Sequence, residues 1–192
     1  MKIAVSGCAG VGKTTLAGAL ANALGVPLIP EQYDPLFNQP GKFMGPDSSV
    51  LVPDFQSILR NKRSQEVRYG DFVTDRCPID LFHLWMARGL GKLEDKTAAF
   101  HDACRDSVQD YELVVIPPWD GIEFRQIDSP PDLRYRTMNK WIQLHNHACI
   151  TGYACLWISS ARLELLPMQL QSIDDRVAHV LRRLGVEPEC RP

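Results

Sequence analysis

Short apolar runs alternate along the chain with segments in which apolar residues recur every three or four positions. Runs rich in Val, Ile and Leu are typical of strands buried on both faces, and the spaced pattern is typical of amphipathic helices. The alternation predicts an α/β fold with a parallel sheet between two layers of helices. We predict five strands, at residues 2–6, 26–30, 71–75, 113–117 and 153–158.

The helices between these strands can be placed from their apolar faces. Leu16, Leu20 and Leu24 recur on one face of the first helix, and Gly25 follows it. A glycine commonly follows the last turn of a helix, so this helix should end there. A further helix is predicted from about residue 132 to residue 148.

Two irregular segments interrupt the pattern. Residues 32–53 are rich in Pro, Gly and Asn, and loops of such length inside compact domains are usually functional. Residues 117–131 begin and end with Pro-Pro pairs and precede the predicted helix, which Ser129 could cap. We therefore expect the first segment to be an ordered functional loop.

Length, composition and charge narrow the class of protein. The 192 residues, 45% of them hydrophobic, suit one compact domain over residues 1–192. A net charge of -2 draws the whole molecule to neither nucleic acid nor membrane, so any polyanion contact must be local. The sequence shows no basic leader and no apolar run of membrane-spanning length, which predicts a cytoplasmic protein with no membrane partner. The six cysteines form no C-x-x-C pair, which predicts reduced thiols rather than metal ligands.

The segment from Gly7 to Thr14 follows the pattern G-x-x-x-x-G-K-[ST] between the first predicted strand and the first predicted helix. In that context the pattern is specific for a phosphate-binding P-loop. Glycines let successive backbone N–H groups turn toward phosphates without a clashing Cβ, and the helix N-terminus adds its positive end. The residues predicted to bind the nucleotide are Gly7, Cys8, Ala9, Gly10, Val11, Gly12, Lys13, Thr14 and Thr15.

Three side chains of this segment have distinct predicted roles. Lys13 should reach the β- and γ-phosphates, Thr14 should ligate Mg²⁺ through its hydroxyl, and Thr15 is placed for the α-phosphate. ATP and Mg²⁺ are therefore the predicted cofactors. The structural alternative is a glycine-rich turn with an exposed lysine.

P-loop folds include switches, motors and kinases, so other motifs must separate these classes. The chain lacks the D-x-x-G and N-K-x-D motifs of GTPase switches. AAA-type motors normally carry an apolar strand that ends in Asp-Glu, and this chain contains no Asp-Glu dipeptide. Cys8 stands where partition-type ATPases place a second lysine. These absences favour a kinase.

Asp75 and Arg76 stand at the carboxyl end of the third predicted strand, where open α/β sheets collect ligand chemistry. The pair resembles the Asp-Arg or Glu-Arg pair of nucleoside and nucleoside monophosphate kinases. This resemblance implies that Asp75 serves the Mg²⁺ shell or the acceptor and that Arg76 binds phosphate. A surface ion pair at a strand end is the alternative.

Glu31 closes the second predicted strand on the same side of the sheet. In deoxynucleoside kinases a glutamate at the corresponding strand end is the general base, so the resemblance implies that Glu31 accepts the proton of an attacking hydroxyl. An alcohol, unlike a phosphate, must lose a proton as it is phosphorylated, which favours a hydroxyl acceptor. A helix cap or a loop glutamate is the alternative.

Arg125, Arg134 and Arg136 gather around the second irregular segment, and residues 118–137 resemble a kinase lid. Such a lid expels water and brings guanidinium groups to the transferring phosphoryl group, whereas a solvated basic helix face is the alternative.

A second basic stretch covers residues 60–68. In the kinases that the chain resembles, this region frames the acceptor, with aromatic rings stacking on a base and an amide reading its edge. The candidates for this substrate pocket are Tyr33, Phe37, Phe55 and Gln56. Aromatic residues at such spacings also serve as core residues, which is the alternative for each of them.

Over most of its length the chain resembles the small phage and bacterial P-loop kinases that are often described only as AAA-family ATPases. The P-loop, the run at residues 74–81 and the approach to the lid at residues 120–125 carry this resemblance. The group includes nucleotide kinases, ribosylnicotinamide kinases and phage kinases that phosphorylate hydroxymethyluracil within DNA.

This resemblance implies ATP-dependent transfer of phosphate to a hydroxyl of a pyrimidine deoxynucleoside. Its most specific form is the hydroxymethyl group of hydroxymethyluracil in phage DNA, which would make modified DNA a partner. A kinase acting on free nucleosides or nucleoside monophosphates is the first alternative. A regulatory module that binds ATP without transferring its phosphate is the second.

Overall fold

The computed structural model describes residues 1–33, 36, 51–119 and 139–186. Five parallel strands form one sheet in the order β2-β3-β1-β4-β5. The strands are β1 (Lys2–Val5), β2 (Leu28–Ile29), β3 (Phe72–Asp75), β4 (Leu113–Ile116) and β5 (Leu163–Leu165). The helices are α1 (Lys13–Leu24), α2 (Val52–Tyr69), α3 (Pro78–Ala87), α4 (Glu94–Ser107), α5 (Lys140–Trp157) and α6 (Ile173–Arg183), with 3-10 turns at Leu90–Lys92 and Val108–Asp110.

Two apolar cores lie on opposite faces of the sheet. Helices α2, α3, α4 and α5 pack with Ala4 and Val114 on one face, whereas α1 and α6 pack with Ile3, Val5 and Val115 on the other. Successive side chains of a strand point to opposite faces, so each buried strand contributes to both cores. The predicted three-layer α/β sandwich with a parallel sheet is therefore confirmed.

Four of the five predicted strands occur where the apolar runs indicated. The second is shorter than predicted, because Pro27 and Pro30 flank Leu28–Ile29 and proline has no N–H to donate to a ladder. Among the described residues, no helix has the length and apolar character that a bilayer span requires. The same residues contain no group of three His, Cys, Asp or Glu side chains arranged to hold a metal ion.

The fifth predicted strand, residues 153–158, is wrong, because this run forms the end of α5. Its rings follow helical spacing: Tyr153 and Trp157 both pack against Phe82, with ring centroids 5.1 and 5.2 Å away. Leu156, between them, is 80% exposed, which fits one outer face of a helix rather than a central strand. The actual β5 is the short edge strand Leu163–Leu165, which pairs with β4.

The helix predicted at residues 132–148 is helical from residue 140 onward and continues to Trp157, whereas residues 132–138 lie outside the described residues. Helix α5 begins at Lys140, because the side chain of Asn139 caps it by accepting hydrogen bonds from the N–H groups of Trp141 and Ile142. The proposed cap Ser129 lies outside the described residues.

Strand order decides where ligand chemistry can collect. The chain leaves β1 toward β2 on one side and later crosses from β3 to β4 on the other side, so β1 lies at the point where the order reverses. Ligands of open α/β sheets bind beyond the carboxyl ends of strands at such a point. The P-loop, Glu31 and the Asp75-Arg76 pair all follow strands at this edge.

Candidate active site

The segment after β1 has the backbone geometry of a phosphate cradle. Gly7, Gly10 and Gly12 adopt positive φ angles of 132°, 85° and 81°, which side chains with a Cβ rarely allow. Helix α1 starts directly after this turn, at Lys13, and its N-terminus adds its positive end to the cradle.

Lys13 is folded into this cradle rather than exposed. Its side chain is 6% exposed, and its Nζ donates a 2.6 Å hydrogen bond to the carbonyl oxygen of Cys8. Burial, helped by the positive charge of the neighbouring Arg76, lowers the pKa of Lys13 to about 8 against the opposite influence of Asp80. A triphosphate in the cradle would restore the full charge of this ammonium group.

Thr14 and Asp75 present a pair of oxygen ligands beside the cradle. The Thr14 hydroxyl donates to Asp75 Oδ2 over 2.5 Å, and Asp75 Oδ1 is buried without a hydrogen-bond partner. Burial raises the pKa of Asp75, and the hydrogen bond from Thr14 opposes this rise most strongly. Hydroxyl and carboxylate oxygens are the ligands that Mg²⁺ prefers, so the unpaired oxygen fits a metal here. Thr15, one position into the helix, is exposed.

Arg76 is held from three directions. Its Nε lies 2.7 Å from Glu31 Oε2, its Nη1 lies 3.3 Å from Asp80 Oδ1, and its Cζ stands 5.6 Å from the centre of the Tyr33 ring. Burial alone would lower the pKa of Arg76, but the carboxylates of Glu31 and Asp80 raise it above its usual range. Its φ of 72° is rare for a residue with a side chain.

Asp80 is a structural centre of the site that the sequence motifs did not single out as functional. Its buried carboxylate accepts hydrogen bonds from the Ser6 hydroxyl at 2.7 Å, the Gly7 N–H at 3.2 Å and the Cys77 N–H at 3.0 Å, and it pairs with Arg76. It therefore ties the start of the P-loop to the start of α3. The sequence does contain a local signal for Asp80. An acidic residue three positions after Cys77, with a proline between them, is a helix-capping pattern.

A small cleft of about 10 Å³, partly open to solvent, lies between the end of β2 and helix α2. Apolar and polar side chains both line it. Its described lining is Ile29, Pro30, Gln32, Tyr33, Ile58, Lys62, Gln65 and Asp75.

Only part of the predicted acceptor pocket is brought to this cleft. Tyr33 lines it, whereas Phe55 is 0% exposed and packs edge-on against the rings of Trp85 and Phe100 in the core. Gln56 points away to solvent and is not among the lining residues. Phe55 therefore takes a core position on α2, and Gln56 takes a surface position. Phe37 lies outside the described residues.

Helix α2 instead contributes Lys62, which is 6% exposed. Its Nζ donates to Thr74 Oγ1 over 2.5 Å and lies 3.2 Å from Glu66 Oε1, which also accepts a 2.6 Å hydrogen bond from the Tyr111 hydroxyl. Lys62 falls on the apolar stripe of α2, four residues before Glu66, and this position was the sequence signal for a buried charge.

The other basic residues of this stretch face away from the cleft, because Arg60, Arg63 and Arg68 are exposed on the outer side of α2. The predicted lid arginines Arg125, Arg134 and Arg136 lie outside the described residues, as does most of the 118–137 segment.

The chain is similar to a known family and to several proteins of known structure. A family model described as "AAA domain" matches residues 2–163. Deoxyadenosine kinase from M. mycoides, solved with dCMP and dCDP, is 14% identical, with a TM-score of 0.68 over 96% of this chain and 98% of that one. Thymidylate kinase from Candida albicans is 13% identical, with a TM-score of 0.61 over 96% of this chain and 90% of that one.

The NadR protein, solved in complex with NR, is a further structural neighbour. It is 18% identical, with a TM-score of 0.63, and the match covers 100% of this chain and 53% of that protein. No curated protein matches the sequence. Likenesses at such identities show the fold, which is that of nucleoside and nucleotide kinases. Because the family model matches most of its length, the chain belongs to the AAA domain family.

Proposed function

We propose that this protein is an ATP-dependent kinase that transfers the γ-phosphate to a hydroxyl group of a nucleoside-type acceptor. The observation that carries this proposal is the 2.7 Å pair between Glu31 and Arg76. This pair joins Glu31, whose chain neighbours Pro30 and Gln32 line the cleft, to the residue that follows Asp75 beside the P-loop. The kinase fold of the structural neighbours supports it, since those proteins act on nucleosides and nucleotides.

On the donor side, the P-loop N–H groups and Lys13 would hold the triphosphate. Thr14 and Asp75 would hold Mg²⁺, which when bound neutralises charge on the phosphates and favours departure of ADP. The proposed lid arginines Arg125, Arg134 and Arg136 would add guanidinium groups to the phosphate that is being transferred.

On the acceptor side, Glu31 would receive the proton of the attacking hydroxyl. The ion pair with Arg76 fixes the direction of this carboxylate, so its main contribution would be to orient the hydroxyl for in-line attack. The proton leaves the hydroxyl as the bond to phosphorus forms, and Glu31 then releases it to solvent.

Among the described residues, the charges around the cleft favour an uncharged acceptor group over a phosphate. Arg76 is paired with Glu31 and Asp80, and Lys62 is paired with Glu66, so each of these cations already faces a carboxylate. A nucleoside monophosphate would need cations whose charge is not already balanced. This arrangement suits a hydroxyl of a neutral nucleoside unit.

In its most specific form, the proposal takes a pyrimidine deoxynucleoside as the acceptor unit, with the hydroxymethyl group of hydroxymethyluracil in DNA as the reacting group. The sequence likeness to phage kinases supports this form. The exposed arginines Arg60, Arg63 and Arg68 also support it, because they could contact a DNA backbone on the outer side of the helix whose inner side lines the cleft.

The test is transfer of labelled γ-phosphate from ATP to four acceptors in parallel: hydroxymethyluracil DNA, thymine DNA, free nucleosides and nucleoside monophosphates. Label on the hydroxymethylated DNA or on free nucleosides supports the hydroxyl acceptor, and the choice between those two decides its specific form. Label confined to nucleoside monophosphates contradicts the charge argument. Tight ATP binding with no transfer to any acceptor would leave the regulatory module as the better description.

A further inference from the structure

The first turn of helix α6 carries a fully buried arginine, Arg176, whose side chain is 0% exposed. Arginine is almost never fully buried unless its N–H groups are paired. Its Nε donates to the carbonyl oxygen of Leu170 over 2.8 Å, and its Nη1 donates to the carbonyl oxygen of Val11 over 3.3 Å. Leu170 lies between β5 and α6, whereas Val11 belongs to the P-loop. One guanidinium group therefore ties the start of α6 to the phosphate cradle, 165 residues earlier in the chain.

Arg176 and Asp80 hold the P-loop at different points. Asp80, on α3, accepts a hydrogen bond from the N–H of Gly7 at the start of the loop. Arg176 donates to Val11, close to the end of the loop. Helices α3 and α6 pack on opposite faces of the sheet, so the loop is held from both sides. The contact with Asp80 fixes where the loop begins, and the contact with Arg176 acts on the residue before the last glycine.

The carbonyl oxygen of Val11 shares a peptide plane with the N–H of Gly12. This peptide bond is trans, and a trans peptide points its C=O and its N–H in opposite directions. Because Arg176 holds the carbonyl, the Gly12 N–H must point away from the guanidinium. Gly10 and Gly12 flank Val11 and accept either sign of φ, so the local backbone alone leaves this direction weakly determined. A side-chain contact from outside the loop can determine it.

We propose that Arg176 is a positioning residue for the phosphate donor, because it fixes the direction of the Val11–Gly12 peptide and so presents the Gly12 N–H to the triphosphate. This inference rests on the donor half of the proposed function, since it requires a triphosphate in the P-loop. Backbone N–H groups that already point at the phosphates need no reorganisation when the ligand binds. Arg176 therefore acts on the triphosphate through the backbone of the loop.

The shape of the guanidinium suits this role. It is planar and presents its N–H groups in fixed directions, so one side chain can donate to two carbonyl oxygens with a fixed angle between the bonds. The bond to Leu170 holds the guanidinium itself, and the bond to Val11 transmits that direction to the loop. A lysine would keep the charge, but its donors come from one nitrogen and are not set in a plane.

The experiment measures, by calorimetry, the affinity for Mg-ATP and the number of binding sites in the wild type and in three variants. Arg176→Met keeps an apolar stem and removes both hydrogen bonds, and Arg176→Lys keeps the charge and a donor. Val180→Ala, one turn further along α6, removes only apolar packing from the core and is the control for lost stability. Partial unfolding lowers the number of sites, whereas misdirection of the peptide lowers the affinity of molecules that stay folded. Thermal unfolding of each apo variant shows which of them are folded.

Loss of the hydrogen bond from a charged donor should weaken Mg-ATP binding about tenfold in Arg176→Met. Arg176→Lys should recover part of that loss. Val180→Ala should lower the unfolding temperature but bind Mg-ATP with wild-type affinity. The Gly12 amide signal in NMR should shift when a non-hydrolysable triphosphate is added to the wild type. In apo Arg176→Met this signal should be broadened or split, because the peptide plane is no longer held in one direction.

The inference is overturned if folded Arg176→Met binds Mg-ATP with wild-type affinity, or if Val180→Ala loses as much affinity as Arg176→Met. A Gly12 amide signal that the triphosphate does not shift in the wild type would also overturn it, and this measurement decides even if the Arg176 variants do not fold. Failure of the folded wild type to bind Mg-ATP would overturn the proposed function and this inference with it. Binding of Mg-ATP without transfer to any acceptor would overturn the kinase reaction alone.

Discussion

The two halves of the candidate site, one for the phosphate donor and one for the acceptor, are built in different ways. The donor half is one continuous turn, from Gly7 to Thr14, whose backbone makes the cradle. The acceptor half is assembled from the end of β2 and one face of α2, which contribute Glu31, Tyr33 and Lys62.

This difference teaches where functional residues can be read from sequence. A backbone cradle depends on glycines at fixed spacing, so its signature is local. A cleft made of side chains depends on which face of a helix turns inward, and that face is decided by packing against the rest of the protein. The following variants each alter one half of the site.

The largest effect should come from Lys13→Ala in the donor half. Removal of the ammonium group should lower kcat/KM by about 10³-fold or more, because the charge that stabilises the transferring phosphoryl group is lost. The variant should stay folded, since the cradle is held by backbone and by Asp80. Turnover by labelled-phosphate transfer and circular dichroism check both points, with the exposed Lys96→Ala as the control.

Asp75→Asn should lower turnover by about 10²- to 10³-fold at low Mg²⁺ concentration. Asparagine keeps the shape and a hydrogen-bond acceptor but removes the charge that would hold the metal. Titration with Mg²⁺ should show a higher concentration at half-maximal activity than in the wild type. An unchanged Mg²⁺ dependence would contradict the metal role, and Asp106→Asn on the exposed side of α4 is the matched control.

Glu31→Gln should lower kcat by about 10²-fold and leave the KM for ATP nearly unchanged, because this residue acts on the acceptor hydroxyl alone. The measurement is steady-state kinetics with each substrate varied in turn. A parallel loss of ATP affinity would show that the two halves of the site are coupled through Arg76. Glu94→Gln, an exposed change of the same kind, should have no effect.

Lys62→Met should raise the KM for the acceptor about tenfold without a change in the KM for ATP. It also leaves Glu66 buried without its cation, which should cost about 3 kcal/mol of folding free energy. The double variant Lys62→Met, Glu66→Gln should recover part of that stability but none of the acceptor affinity. Lys96→Met, the same change on the exposed side of α4, should match the wild type in both measurements.

The smallest effects should separate two glutamines of α2. Gln65→Ala should raise the KM for the acceptor a few-fold, because Gln65 lines the cleft and a single neutral hydrogen bond contributes about 1 kcal/mol. Gln56→Ala should leave the KM unchanged, because its side chain faces solvent. A raised KM in Gln56→Ala with an unchanged KM in Gln65→Ala would instead support the acceptor role that the sequence predicted for Gln56.

Much of the fold followed from local patterns. The P-loop, the first, third and fourth strands and the flanking helices all have short-range signatures. Residues 153–158 were assigned wrongly because a short aromatic and aliphatic run fits either a buried strand or a helix. Contacts of Tyr153 and Trp157 with Phe82 favour the helix, and such contacts between distant residues cannot be predicted from a local pattern.

The sequence by itself determined the phosphate cradle and the placement of Glu31, Asp75 and Arg76 at strand ends, since backbone conformation and strand periodicity are local properties. Only the tertiary structure decided that Glu31 pairs with Arg76, that Asp80 joins the P-loop to α3, and that Lys62 rather than Gln56 faces the cleft. The physical reason is that these contacts join residues far apart in the chain, whose distances are set by the strand order and by how the helices pack on the sheet.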